Sequence, residues 1–304
     1  MSVFEGIWIP LVTPFRQGAV DLKAADRLAA HLAGSGIAGL VVCGTTGEAA
    51  TLSEAEQEQL LACVQQAVRG RCAVMMGIAG NDTAAVAAAA RRYTALAPAG
   101  LLVAAPYYVR PSQEGIRRHF EAVAAAAPLP IVIYNIPYRT GVNIEPATCR
   151  ALAANSQFVA IKESGGGNFN QLSDLLHETP LRVLSGEDHL IFSTVCLGGH
   201  GAIAAAAHLY PERYVRMVEL LRRGELAAAR AIHDGLLPLI RLLFAEPNPA
   251  PLKAALAAQG WIGEELRLPM TPVSEACREA LRAMLRRMDA AVSVDVGAAA
   301  VALG

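Results

Sequence analysis

The chain has 304 residues, 54% hydrophobic and 17% charged, with 26 Lys and Arg against 27 Asp and Glu for a net charge of −1. Such a composition builds a large buried core and excludes disorder, while the charge balance offers nothing to nucleic acid or an anionic membrane. The longest apolar run, residues 122–134, is interrupted by Pro128 and Pro130 and falls short of the about 20 residues that span a bilayer, so no membrane partner is expected.

Short apolar runs recur at residues 7–11, 40–43, 74–77, 101–104, 131–135, 159–163, 183–185 and 202–204. Segments with helical spacing separate them. Residues 21–33 carry Leu22, Leu28, Ala29 and Leu32 on one face; residues 53–68 open with Ser53 and Glu56 as a capping box and carry Leu60, Leu61, Val64 and Val68; residues 112–125 open at Ser112; residues 168–176 follow a glycine run. Apolar runs with few polar breaks, alternating with helices, predict a parallel sheet covered by helices. Eight such units in about 225 residues match an α/β protein of the (β/α)8 TIM-barrel kind, typically about 250 residues long. A doubly wound open sheet is the rival, but it places a glycine-rich turn after its first strand, where this chain has Pro10-Leu11-Val12-Thr13-Pro14. After Gly224 the alternation stops, and residues 225–244, 251–258 and 274–288 read as helices. The expected division is a catalytic barrel over residues 1–224 and a C-terminal helical region over 225–304. Within the latter, residues 290–304 are either a frayed tail or a packed extension.

The six cysteines form no CxxC pair, and the seven histidines show no HExxH and no metal-ligand spacing. Neither a metal nor another cofactor is expected. The N-terminus lacks a basic segment followed by an apolar one, so the expectation is a cytoplasmic protein with reduced thiols.

Barrel enzymes place their active sites at the C-terminal ends of the strands, and those positions yield a short set. Lys162 follows Phe158-Val159-Ala160-Ile161, and lysine is almost never buried without a reason. A desolvated amine is a nucleophile toward carbonyls; the alternative is a lysine paired with Glu163 or reaching water. Thr45 and Thr46 lie between glycines, as an ordinary turn or as a cradle for a carboxylate. Tyr134 is a core tyrosine or a proton relay. Arg139 is a solvated side chain or a clamp on a substrate carboxylate. Tyr107-Tyr108 reads as a packed loop or an oligomer contact.

Taken together, the motifs resemble those of the dihydrodipicolinate synthases, within the pyruvate-dependent class I aldolase family that also holds N-acetylneuraminate lyase. GTTGE (44–48), PYYVRPSQEG (106–115), YNIPYRTG (134–141), IKES (161–164), LSGED (184–188), GGHG (198–201) and EPNPAPLKAAL (246–256) occur in order over nearly the whole chain. The resemblance implies a lyase in which Lys162 forms a Schiff base with pyruvate. It implies that Tyr134 relays protons, linked to Thr45 and to Tyr108 of a neighbouring subunit. Thr46 would hold the pyruvate carboxylate, Arg139 the carboxylate of aspartate 4-semialdehyde, and Gly186 and Ile203 would line the pocket through backbone groups. It further implies a place in diaminopimelate and lysine biosynthesis and a homotetramer built as a dimer of dimers.

Departures from the family pattern bear on the aldehyde. Residues 202–208 read Ala-Ile-Ala-Ala-Ala-Ala-His, without the hydroxyls and amide usual there, and Tyr138 replaces a small residue. A related aldolase or dehydratase acting on a sugar acid, and a non-catalytic keto-acid-binding paralogue, are the alternatives. The family's lysine-feedback site keeps Asn81 and Tyr107 but has Ala49, Glu54, Gln57 and Ala85 in place of other ligands, which predicts weak or absent inhibition by lysine.

Overall fold

A closed barrel of eight parallel strands forms the centre of the computed structural model, which describes residues 4–301 and their side chains through residue 290. In chain order the strands are β1 (Gly6–Pro10), β2 (Phe15–Arg16), β3 (Ala19–Val20), β4 (Gly39–Val42), β5 (Ala73–Ile78), β6 (Gly100–Ala104), β7 (Ile131–Asn135), β8 (Phe158–Glu163), β9 (Arg182–Ser185) and β10 (Gly201–Ile203). Around the barrel the order is β1, β4, β5, β6, β7, β8, β9, β10, closing on β1. All eight expected strands are present. β2 and β3 are an added antiparallel hairpin, turned by Gln17 and Gly18, both in the left-handed region, as a two-residue hairpin turn requires.

The barrel strands are apolar between their ends because both faces are buried, and polar residues such as Asn135, Lys162, Glu163 and Ser185 stand at their mouths. Trp8, Val41, Met75, Leu102, Val132, Ala160, Leu184 and Ile203 fill the interior. Their neighbours Ile9, Leu40, Val42, Val74, Leu101, Val103, Ile133, Ile161 and Val183 pack outward under the helices. The period of two then sets what stands at the strand mouths: Tyr134 continues the inward row of β7, and Lys162 that of β8.

A helix follows each barrel strand: Leu22–Leu32, Glu54–Val68, Thr83–Thr94, Gln113–Ala126, Pro146–Leu152, Phe169–Glu178, Ile191–Cys196 and Pro211–Arg222. Their starts are chemically specified. Asp21 accepts from the Ala24 N–H, Ser53 and Glu56 form the reciprocal capping box, and Ser112 and Asn168 cap the next two predicted helices, each cap worth about 1 kcal/mol. Three further helices, Leu226–Leu243, Ala250–Ala258 and Glu275–Val301, pack against one another. Among the described residues no helix is long and apolar enough to cross a membrane. The helix backbone continues to Val301; whether residues 290–304 pack or fray lies outside the described side chains.

Candidate active site

Tyr134 and Lys162 are register partners on β7 and β8. Lys162 is only 6% exposed, and its Nζ lies 4.2 Å from the centroid of the Tyr134 ring, an attractive placement for a cation against a π face. Among the described residues the amine makes no hydrogen bond or ion pair, so it is free to meet a carbonyl. Its surroundings are acidic. Asp188 is buried, and its Oδ1 accepts from the Ala206 N–H at 2.6 Å. Burial pushes the Asp188 carboxyl up to about 6, against the pull of the backbone N–H groups and the Lys162 charge. Glu187 is likewise raised by burial, opposed by His189, Lys162 and Arg139.

Close approach explains Gly186. A Cβ there would stand 1.9 Å from Ser164 Oγ and 2.9 Å from Lys162 Cε, so only glycine lets the lysine lie in its place. The Gly186 N–H donates to the Glu163 carbonyl at 2.7 Å, which carries the edge of β8 across to the segment after β9.

The turn after β4 holds the threonines. Gly47 N donates to Gly44 O, Glu48 N to Thr45 O, and Thr13 Oγ1 to Gly47 O at 2.6 Å. Thr46 is buried and accepts from Asn248 Nδ2 at 3.1 Å. Arg139 sits in the short helix Pro137–Thr140 after β7, exposed, with its guanidinium 5.8 Å from the Tyr138 ring centroid.

These residues converge on one cleft. A narrow cavity of about 40 Å³ is lined by Thr45, Thr46, Tyr134, Arg139, Lys162, Gly186 and Ile203. It shares Thr45, Tyr134, Arg139 and Asn248 with a wider cavity of about 350 Å³. Seven of the eight expected residues therefore meet. Tyr108 does not: it is 86% exposed and lines neither cavity. Its backbone is left-handed (φ 71°), held by its N–H on Thr140 O, while Arg110 Nε donates to Gly141 O. A conformation costing about 1–2 kcal/mol thus displays an aromatic side chain to the outside.

The sequence reading missed residues that only the fold brings near. Asn248 and Phe244, from the C-terminal region, line the narrow cavity. So does Asp188, which LSGED contained without a role assigned. Of the unusual residues 204–208, Ala205 lines the narrow cavity, whereas Ala204, Ala206 and His208 lie outside both cavities and are packed in the core. The departures from the family pattern that reach the cleft are therefore Ala205 and Tyr138.

Comparison with known proteins shows the family and the barrel fold. The model of the dihydrodipicolinate synthetase family matches residues 3–288. A 4-hydroxy-tetrahydrodipicolinate synthase from a Cyanothece species is 41% identical over 95% of this chain and 99% of its own. The solved 4-hydroxy-tetrahydrodipicolinate synthase of Methylacidiphilum fumariolicum is 37% identical with a TM-score of 0.92, covering 95% of this chain and 97% of its own. The Cyanidioschyzon merolae enzyme, solved with lysine bound, is 38% identical with a TM-score of 0.91, covering 94% and 98%.

Proposed function

The chain belongs to the dihydrodipicolinate synthetase family, and from that premise we propose that it is a 4-hydroxy-tetrahydrodipicolinate synthase, a Schiff-base lyase of lysine and diaminopimelate biosynthesis. The observation that carries the reading is Lys162: a buried amine without an ion pair, over the Tyr134 ring, in a cleft with a threonine turn on one side and Arg139 on the other.

The Lys162 amine attacks the ketone carbon of pyruvate, and loss of water leaves the imine. Tyr134, which lines the cleft together with Thr45, carries the protons of that step. Thr46 and the backbone N–H groups of its turn hold the pyruvate carboxylate; Gly186 and Ile203 bound the adduct. Removal of a methyl proton gives the enamine, which attacks the aldehyde carbon of aspartate 4-semialdehyde, its carboxylate held by Arg139. The semialdehyde's own amine then attacks the imine carbon, closing the ring and releasing Lys162. No metal or other cofactor takes part. The catalytic unit is the barrel, residues 1–224, with residues 225–304 supplying Asn248 at its wall.

Tyr108 faces outward, where a second copy of the chain can use it. We place it in a neighbouring subunit's cleft, within a cytoplasmic homotetramer arranged as a dimer of dimers. Mixing inactive Tyr108→Phe and Lys162→Ala proteins then restores part of the activity through mixed interfaces.

The deciding experiment is turnover of pyruvate with aspartate 4-semialdehyde, followed through the reductase that consumes the product. Lys162→Ala abolishes it, and Arg139→Ala lowers kcat/KM for the aldehyde by about 10–100-fold, the loss of a charged hydrogen bond. Turnover of a sugar acid instead, with none of the semialdehyde, overturns the reading.

A further inference from the structure

Asn135 and Glu163 follow Tyr134 and Lys162 and are register partners on the opposite face of the same two strands. Side chains alternate along a strand, so whatever locks Asn135 to Glu163 also locks Tyr134 to Lys162. The lock is dense. Asn135 Nδ2 donates to Glu163 Oε1 and Oε2 at 3.1 and 3.0 Å and to Asn143 Oδ1 at 2.8 Å. Asn135 Oδ1 accepts from Ile144 N at 3.0 Å. From the helix Phe169–Glu178, Gln171 Nε2 donates to Glu163 Oε2 at 3.2 Å, and Gln171 exchanges two bonds with the Asn143 amide at 2.7 and 3.2 Å. The Gly165 N–H reaches the same carboxyl, and a Cβ on Gly165 would stand 2.3 Å from Glu163 Oε1.

We propose that this ring of amides around Glu163 holds Lys162 over Tyr134, and that Glu163 is a positioning residue for imine formation. The inference rests on the reading of Lys162 as the imine-forming lysine. Filling the site with a hydrophobe costs less than burying an acid, so the acid needs a reason. Every partner of the carboxyl is an N–H donor, which suits the anion; a protonated Glu163 points an O–H at donors and loosens the ring. Burial raises Glu163 to about 7, opposed first by Asn135 and Gln171, so the change falls in the neutral range.

The groups facing Glu163 leave that assignment intact. Glu187, beyond β9, adds negative charge, and the Cys149 thiol, from the helix Pro146–Leu152, is pushed up to about 12 by burial and stays neutral. β7 and the helix Phe169–Glu178 offer only the amides of Asn135 and Gln171. Lys162 points to the other face of Glu163's own strand.

The test is the rate at which cyanoborohydride traps the pyruvate adduct on Lys162, read by intact mass against pH, in the full-length protein. The wild-type rate falls on the acid side with a step near neutral pH. Glu163→Gln, folded by circular dichroism, reacts about 10-fold more slowly and lacks that step. Gln171→Leu removes one donor to the carboxylate and moves the step upward by about one pH unit. A Glu163→Gln protein with the wild-type rate and step overturns the inference. Where that variant fails to fold, an unmoved step in Gln171→Leu overturns it. A wild-type protein that traps no pyruvate overturns the proposed function itself, and this inference with it.

Discussion

Lys253 donates a 2.7 Å hydrogen bond to Glu48, with side chains 0% and 2% exposed. The same ammonium donates to Thr13 O at 2.9 Å and lies 4.4 Å from the Phe15 ring centroid, while the other Glu48 oxygen accepts from Arg267 N. Burial lowers the Lys253 pKa, opposed by the bond to Glu48. The pair ties the helix Ala250–Ala258 to the turn that carries Thr45 and Thr46, so it supports the pyruvate end of the cleft. Removing one partner strands a buried charge, which costs about 3–5 kcal/mol. Lys253→Met is expected to lower the urea midpoint accordingly and to raise KM for pyruvate. Adding Glu48→Gln to Lys253→Met recovers part of the stability.

Gly186 offers a steric test of the lysine's placement. In Gly186→Ala the new methyl overlaps Ser164 Oγ and the Lys162 side chain, and the lysine must turn away from Tyr134. The misplacement is expected to cost about 100-fold or more in kcat. Circular dichroism stays native, and the doubly substituted Gly186→Ala, Ser164→Gly protein remains slow because Lys162 Cε still obstructs the methyl. Near-normal turnover in Gly186→Ala would contradict the geometry.

The barrel was legible because parallel strands buried on both faces leave apolar runs that charged residues rarely interrupt. The ends of β7 coincide with the run at residues 131–135. The helix Thr83–Thr94 left less trace: its buried residues Val86, Ala90 and Tyr93 share one face at i, i+4 and i+7, but alanines on the other faces blur the stripe. The inward residues of β7 and β8 and the turn Thr45-Thr46 could be read from their place at strand mouths. Contacts across the fold could not. Asn248 meets Thr46 from 202 residues away, and Lys253, a single charge in an otherwise apolar helix, was a signal with no partner to name. The ring around Glu163 was hidden for a different reason: it lies on the outer face, where sequence patterning predicts only packing.

Lysine is expected to inhibit weakly. Ala85 removes an acidic partner for the ligand's ammonium, a charged hydrogen bond worth about 1.5–3 kcal/mol. Gln57 and Glu54, which stand in place of other ligands, are engaged elsewhere. Gln57 Nε2 donates to Ala49 O and Leu52 O, its Oε1 accepts from Tyr93 OH, and Glu54 pairs with Arg92 at 2.6 Å. Steady-state assays with lysine should therefore give half-inhibition only well above the millimolar range. Sub-millimolar inhibition would show that Gln57 and Glu54 give up these partners.

His208 sets an acid limit on stability. It stands where the family usually has an amide and performs an amide's two tasks: Nε2 accepts from Val12 N at 3.2 Å, so Nδ1 carries the proton that bonds Ala205 O at 2.8 Å. Complete burial lowers its pKa from 6.5 to about 4. The unfolded chain takes up a proton below about pH 6.5 that the native state refuses, so stability present above that pH is lost as pH falls toward 4. The loss is about 3 kcal/mol at about 1.4 kcal/mol per unit. Glu163 and Asp188, both raised by burial, act in the opposite direction over part of the range, which makes the wild-type profile a sum. His208→Asn isolates the histidine, because the shorter amide keeps the chemistry of both bonds without a titrating group. Urea unfolding at pH 7 and pH 4.5 should show a smaller loss of stability on acidification in His208→Asn than in the wild type. Equal losses in the two proteins would mean that His208 gives up its bond to Val12 and takes up a proton in the folded state as readily as in the unfolded one.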